Sequence, residues 1–126
     1  MKTPLPVPFV NIAGCIQNIV EEPCGSVAII TSVAGSFRSA HYHKTDHHYL
    51  YVVQGEMRYG SRPVGSDADI EWETFEAGEL CFTPPMTEHY TEFSVDTVLI
   101  SMSKLTRTHE NHEADLVRLN VAHHPI

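Results

Sequence analysis

The chain has 126 residues, enough for one hydrophobic core and too few for two. Its formal charge is −8 with histidine neutral, and its eight Lys and Arg residues are scattered. It therefore lacks the basic stripe that nucleic acid or an anionic membrane surface requires. No apolar run approaches a bilayer span, and the N-terminus has no unbroken apolar stretch like that of a signal peptide, so a cytoplasmic protein is expected. Cys15, Cys24 and Cys81 have no CxxC spacing, which argues against a disulfide framework and against a cysteine zinc site.

In chain order, residues 1–10 carry Pro4, Pro6 and Pro8 among Val and Phe, too rigid for a helix. An extended arm over 1–12 is predicted, packing on a neighbouring subunit. Short apolar runs follow, at 27–33 before Gly35, at 49–53 before Gly55, at 80–83 before Pro84-Pro85 and at 95–102. Strands at this spacing, separated by turn residues, indicate an all-β barrel or sandwich. Residues 61–69 have turn composition and form a loop. Residues 104–115 are polar and unpatterned and read as a surface excursion, before a last short strand around 116–119 within a tail of 104–126. Nothing marks a domain boundary, so 1–126 is read as one domain.

Nine histidines are the anomaly of the composition, and five of them fall between His41 and His89. His41 and His43 flank Tyr42, so on a strand their imidazoles share one face and can converge on one ion. His48 follows after a polar stretch, and His89 lies just past the Pro84-Pro85 corner, placed to approach from a separate strand. His109, His112, His123 and His124 are read as ordinary surface or core residues.

Gly35, five residues, His41-Tyr42-His43, four residues, His48, six residues and Gly55 follow the spacing of the first cupin motif. Gly78, five residues, Pro84-Pro85-Met86, two residues, His89, three residues and Phe93 follow that of the second. The chain thus resembles the cupin superfamily over residues 35–103. The resemblance implies a jelly-roll (double-stranded β-helix) barrel holding one divalent metal on His41, His43, His48 and His89. His48 stands where the family usually has Glu; the adjacent His47 does not leave six residues before Gly55. Met86 replaces a turn glycine and Phe93 an Asn, which predicts a locally altered corner. Four neutral imidazoles leave the ion's charge uncompensated and favour an anionic or enolate ligand. Imidazoles suit Fe, Mn, Ni, Cu or Zn.

The fold hosts several chemistries, so function has to come from the site. Residues 35–44 and the tail 107–119 resemble short cupins of nucleotide-sugar and surface-polysaccharide biosynthesis, which implies isomerisation or epimerisation of a keto-sugar. The alternatives are a non-haem iron dioxygenase acting on a dicarbonyl or enol, and a non-catalytic metal-bound ligand-binding or sensor module. Either way the partner is a small molecule, and a homodimer is expected. Tyr51, Phe82, Met57, Leu80 and Tyr59 are the expected pocket lining. A general base would come from the tyrosines, Glu88 or a histidine free of metal. Arg38 and Arg58 are read as solvated, with a substrate carboxylate or phosphate as their other use.

Overall fold

In a computed structural model describing residues 1–119, short strands with period-two burial dominate the chain. In order they are β1 (Lys2–Thr3), β2 (Phe9–Asn11), β3 (Gly14–Ile16), β4 (Ser26–Ser32), β5 (Ser36–His43) and β6 (His48–Gln54). There follow β7 (Glu56–Pro63), β8 (Glu71–Glu76), β9 (Leu80–Thr83), β10 (Thr87–Phe93) and β11 (Thr97–Ser103), then helix α1 (His109–Asp115) and β12 (Leu116–Arg118). Residues 120–126, with His123 and His124, lie outside the described residues.

Two five-stranded antiparallel sheets form the barrel, ordered β1-β9-β6-β11-β4 and β12-β5-β10-β7-β8. This is the expected all-β jelly roll. Alternation decides which side chains meet between the sheets. On β6, Leu50 and Val52 turn inward, and they pack with Met57, Tyr59, Phe75, Cys81, Phe93 and Leu99. Phe93, the departure from the motif's Asn, is one of these core residues. No helix among the described residues is long and apolar enough to cross a membrane.

Two turns matter for the site. Gly55 has φ +95°, and a Cβ there would lie 2.5 Å from the carbonyl oxygen of Asp96, so only glycine fits. Met86 also takes a left-handed conformation, φ +55°. The corner expected to differ therefore keeps a positive φ without the glycine that would make it easy. Its N–H donates to the His43 carbonyl at 2.8 Å, and its carbonyl accepts from Val64 N–H at 3.0 Å, which holds the strained residue in place.

The N-terminal arm and the 104–115 excursion hold elements that the sequence reading did not give, while a last short strand falls where one was expected. Part of the predicted arm forms β1, which pairs with β9, and β2 joins β3 in a separate hairpin. The 104–115 excursion contains α1, whose first turn is capped by Thr108 Oγ1 accepting from Asn111 N–H at 3.4 Å. Seven residues are too few for an apolar period to show. Next, β12 pairs with β5, setting Leu116 opposite His43 and Arg118 opposite His41, so the tail is stitched to the histidine strand.

Candidate functional site

Strands β5 and β10 place three histidines together. His41 lies directly opposite His89 in the ladder, and His43 follows two residues along β5. Ring centroids are 4.5 Å apart for His41 and His89 and 5.0 Å for His41 and His43. One donor atom from each of His41, His43 and His89 lies within 4.8 Å of the other two. His48 reaches in from the facing sheet, its ring 5.2 Å from that of His89 and 5.5 Å from that of His43. The four histidines singled out from sequence therefore meet in space. His47 does not join them: it pairs with Glu22 at 2.9 Å and packs on Phe82.

A bulge in β5 sets the geometry. Arg38 pairs with Thr91 and His41 with His89, so three steps on β5 match two on β10. Ser39 and Ala40 absorb the extra residue with φ of +73° and +59°. Bulges of this kind re-aim side chains. Here the bulge turns Arg38 to the same side as His41, where strict alternation would have sent it to the other face.

The imidazoles are poised as neutral donors of lone pairs. Nδ1 of His89 lies 3.0 Å from the carbonyl oxygen of Thr87, which places the ring proton on Nδ1. Its Nε2 is then a buried acceptor without a hydrogen-bond partner. Nδ1 of His43 has no hydrogen bond either, although Asp115 Oδ2 stands 3.5 Å away. Burial pushes His41 down to about 2, aided by His89 and His43. Burial likewise lowers His89 to about 3, and, with Arg107 beside it, lowers His43 to about 4. His48 is held well below the ordinary value by burial and then by its histidine and arginine neighbours. All four are neutral at pH 7. Three neutral imidazoles with converging nitrogens, one of them orphaned, fit a divalent ion of the imidazole-preferring class.

Sequence reasoning missed three contributors, all tied to the tail or to the loop it packs on. Arg107 donates from Nε to Asp46 Oδ2 at 2.9 Å and from Nη2 to His48 Nδ1 at 3.0 Å. Asp46 is buried, and its other oxygen accepts from Leu105 N–H at 2.9 Å. His112 on α1 brings its ring 5.5 Å from that of His43. No periodic signal marks any of them, since they sit in irregular or very short segments. His43, Asp46 and Asp115 also approach one another, but both carboxylates are already taken by protein donors.

Arg38, Arg107, His41, His48, His89 and His112 line a cavity of about 290 Å³, walled on its apolar side by Ile30, Leu50, Phe93 and Leu99. None of the five residues expected to line the pocket does so. Tyr51 and Phe82 sit out of phase with the inward-facing Leu50 and Cys81 of β6 and β9. Leu80 is buried opposite Thr3 of β1. Met57 and Tyr59 belong to the core below the cavity, where Tyr59 stacks 6.3 Å from the His89 ring and hydrogen-bonds Thr83 at 2.7 Å. Glu88 is out of the cavity as well, bound to Arg62 at 2.9 Å and to the Tyr90 hydroxyl at 3.2 Å. Arg58 lies over Trp72 and pairs with Glu92, so of the two arginines only Arg38 reaches the cavity.

This fold and its histidine placement define a cupin-type barrel. No family model matches the chain, and no curated protein matches it by sequence. Solved structures do. The capsular polysaccharide assembling protein CapF from Staphylococcus aureus superposes with a TM-score of 0.69 at 24% identity, over 94% of this chain and 35% of that one. This chain thus spans about a third of CapF. The sugar 3,4-ketoisomerase QdtA from Thermoanaerobacterium thermosaccharolyticum, in complex with TDP, gives 0.71 at 16% identity, over 89% and 82%. The 3'-monoepimerase ChmJ from Streptomyces bikiniensis, in complex with dTDP-quinovose, gives 0.74 at 15% identity, over 93% and 68%.

Proposed function

We propose that the cavity is the active site of an isomerase or epimerase that moves a proton beside the carbonyl of a nucleotide-linked keto-sugar, with one divalent ion on His41, His43 and His89. The observation that carries this reading is the convergence of neutral, partly orphaned imidazole nitrogens at a partly open pocket. The sugar 3,4-ketoisomerase and the 3'-monoepimerase among the structural neighbours support the reaction class.

The ion, when bound, supplies Lewis-acid polarisation of the substrate carbonyl. The remaining work falls to the chain. About 290 Å³ is at the small end for a ligand pocket and suits a single sugar ring, which leaves a nucleotide outside. Arg38 is exposed at the cavity, held by Ser32 Oγ at 2.9 Å and the Thr31 carbonyl at 2.8 Å, and takes the diphosphate. Ile30, Leu50, Phe93 and Leu99 exclude water from the ring. His112 is the proton carrier. Burial and then Arg107 lower its pKa, so at neutral pH it is an unprotonated base.

The test is the fate of the sugar's C–H bonds in D₂O, followed by NMR with thymidine-diphosphate keto-sugars, alongside metal analysis of tag-free protein. Deuterium wash-in by the wild type, lost in His112→Gln with metal content unchanged, is the expected result. Oxygen uptake without wash-in would instead favour the iron dioxygenase, and ligand binding with neither would favour a sensor.

We also infer a homodimer. The hairpin β2–β3 exposes Val10, Ile12 and Ile16, and the edge strand β4 exposes Val27 and Ile29. A lone hairpin is marginal in water, and an apolar edge invites pairing, so a second copy that covers both satisfies each.

A further inference from the structure

We propose that Arg107 holds the substrate's oxyanion in this cavity, and that His48 positions Arg107 instead of serving as a fourth metal ligand. The inference rests on the reading of the cavity as a carbonyl-chemistry site.

Hydrogen-bond direction separates His48 from His89, whereas His43 Nε2 lies 3.5 Å from the same Arg107 nitrogen, a longer contact at the limit of a hydrogen bond. An arginine can only donate, so the 3.0 Å contact from Arg107 Nη2 requires a lone pair on His48 Nδ1 and leaves the ring proton of the neutral imidazole on Nε2. Neither nitrogen then has a lone pair to offer an ion. His89 is the opposite case, with its proton committed to Thr87 and Nε2 free. The strands agree with this division: His41, His43 and His89 come from β5 and β10 of one sheet, and His48 comes from β6 of the other.

Arg107 is held as a donor group for a ligand should be. Its side chain is 21% exposed, and Nε is fixed by Asp46, which is itself 3% exposed. Nη2 is fixed by His48, while Nη1 has no hydrogen-bond partner among the described residues although Arg107 lines the cavity. A guanidinium locked on two sides with a third left open is a preorganised oxyanion donor. Charge completes the argument. Three neutral imidazoles cancel none of a divalent ion's charge, and the guanidinium adds a further positive charge, partly balanced by Asp46. With an ion held by the three imidazoles, such a site would favour an anionic oxygen within reach of the guanidinium. The oxyanion that develops when a proton is removed beside a carbonyl would meet that requirement.

The test uses Co²⁺ as the metal probe and oxalate, a planar dianion, as the oxyanion probe. His48→Gln, whose amide oxygen can accept from Arg107, is expected to bind about one equivalent of Co²⁺ with the wild-type visible band, while His89→Ala weakens Co²⁺ by about 100-fold or more. Oxalate affinity of the Co²⁺ protein is expected to fall about 10- to 100-fold in Arg107→Gln and less in Arg107→Lys, which keeps a charge opposite Asp46. Oxalate affinity should survive in His48→Gln and fall in His48→Leu, a rescue pattern that a structural role would not produce. Loss of Co²⁺ from His48→Gln to the extent seen in His89→Ala would overturn the assignment of His48. Equal oxalate affinity in wild type and Arg107→Gln would overturn that of Arg107. If wild type takes up no Co²⁺, the metal reading fails separately. Calorimetry of oxalate on metal-free wild type, Arg107→Gln and His48→Leu then decides the inference by the same pattern.

Discussion

Acidification of chelator-treated protein tests the buried histidines as a group. An unfolded histidine protonates near pH 6.5, whereas His43, His89 and His41 in the fold wait until about 4, 3 and 2. Between those limits the unfolded chain binds more protons than the native one, so stability is full above pH 6.5 and is lost as pH falls. The slope per histidine rises from half its full value at pH 6.5 toward about 1.4 kcal/mol per pH unit, so three contribute about 3 kcal/mol between pH 6.5 and 5.5. Against a typical domain stability of about 5–15 kcal/mol, that is enough to bring the metal-free protein close to unfolding near pH 5. Urea midpoints measured at pH 8, 7, 6 and 5.5 should be level across the first two and then fall steeply. His89→Gln should show a shallower fall by one proton's worth of slope. A midpoint unchanged between pH 7 and 5.5 would refute the claim that these rings are buried neutral.

Three further outcomes follow from packing and backbone geometry. Met86→Gly should raise stability by about 0.5–1 kcal/mol in thermal or urea unfolding, since it relieves a left-handed non-glycine residue at the cost of some chain entropy. Asp46→Ala should cost about 3 kcal/mol, because it strands the Arg107 charge and the Leu105 N–H; the double variant Asp46→Asn with Arg107→Gln should recover part of the loss. Ile12→Glu, on the exposed hairpin, should leave the melting temperature of the barrel within a few degrees while shifting the protein to monomer in analytical ultracentrifugation.

Much of the site was legible because it depends on alternation. His41 and His43 share a face for the reason that any i, i+2 pair on a strand does, and the motif spacing brought His48 and His89 into the same neighbourhood. Arg38 is exposed, as read, but its place beside His41 was not legible, because an inserted residue at Ser39–Ala40 shifts the phase and local bulges leave no mark in a hydrophobic pattern. The lining was misread through the same dependence on phase. Tyr51 and Phe82 are apolar and adjacent to inward residues, yet a single step along a strand puts them on the opposite face. Arg107, Asp46 and His112 could not be found by period at all, because a loop and a seven-residue helix bring them in. Their arrival depends on β12 anchoring the tail to β5, a long-range pairing that no local window contains.

The origin of His41, His43 and His89 in two neighbouring strands of one sheet has a consequence for assembly and for change. The ladder that sets their spacing closes as part of the barrel, so the triad needs no ion to draw it together and should accept or release one without unfolding. The facing sheet and the tail contribute no atom to that triad. They supply Ile30, Leu50, His48, Arg107 and His112, which face whatever binds there. The nitrogens that would hold an ion are thus carried on a different structural piece from most of the cavity wall, and substitutions in that wall can alter what binds while leaving the triad intact.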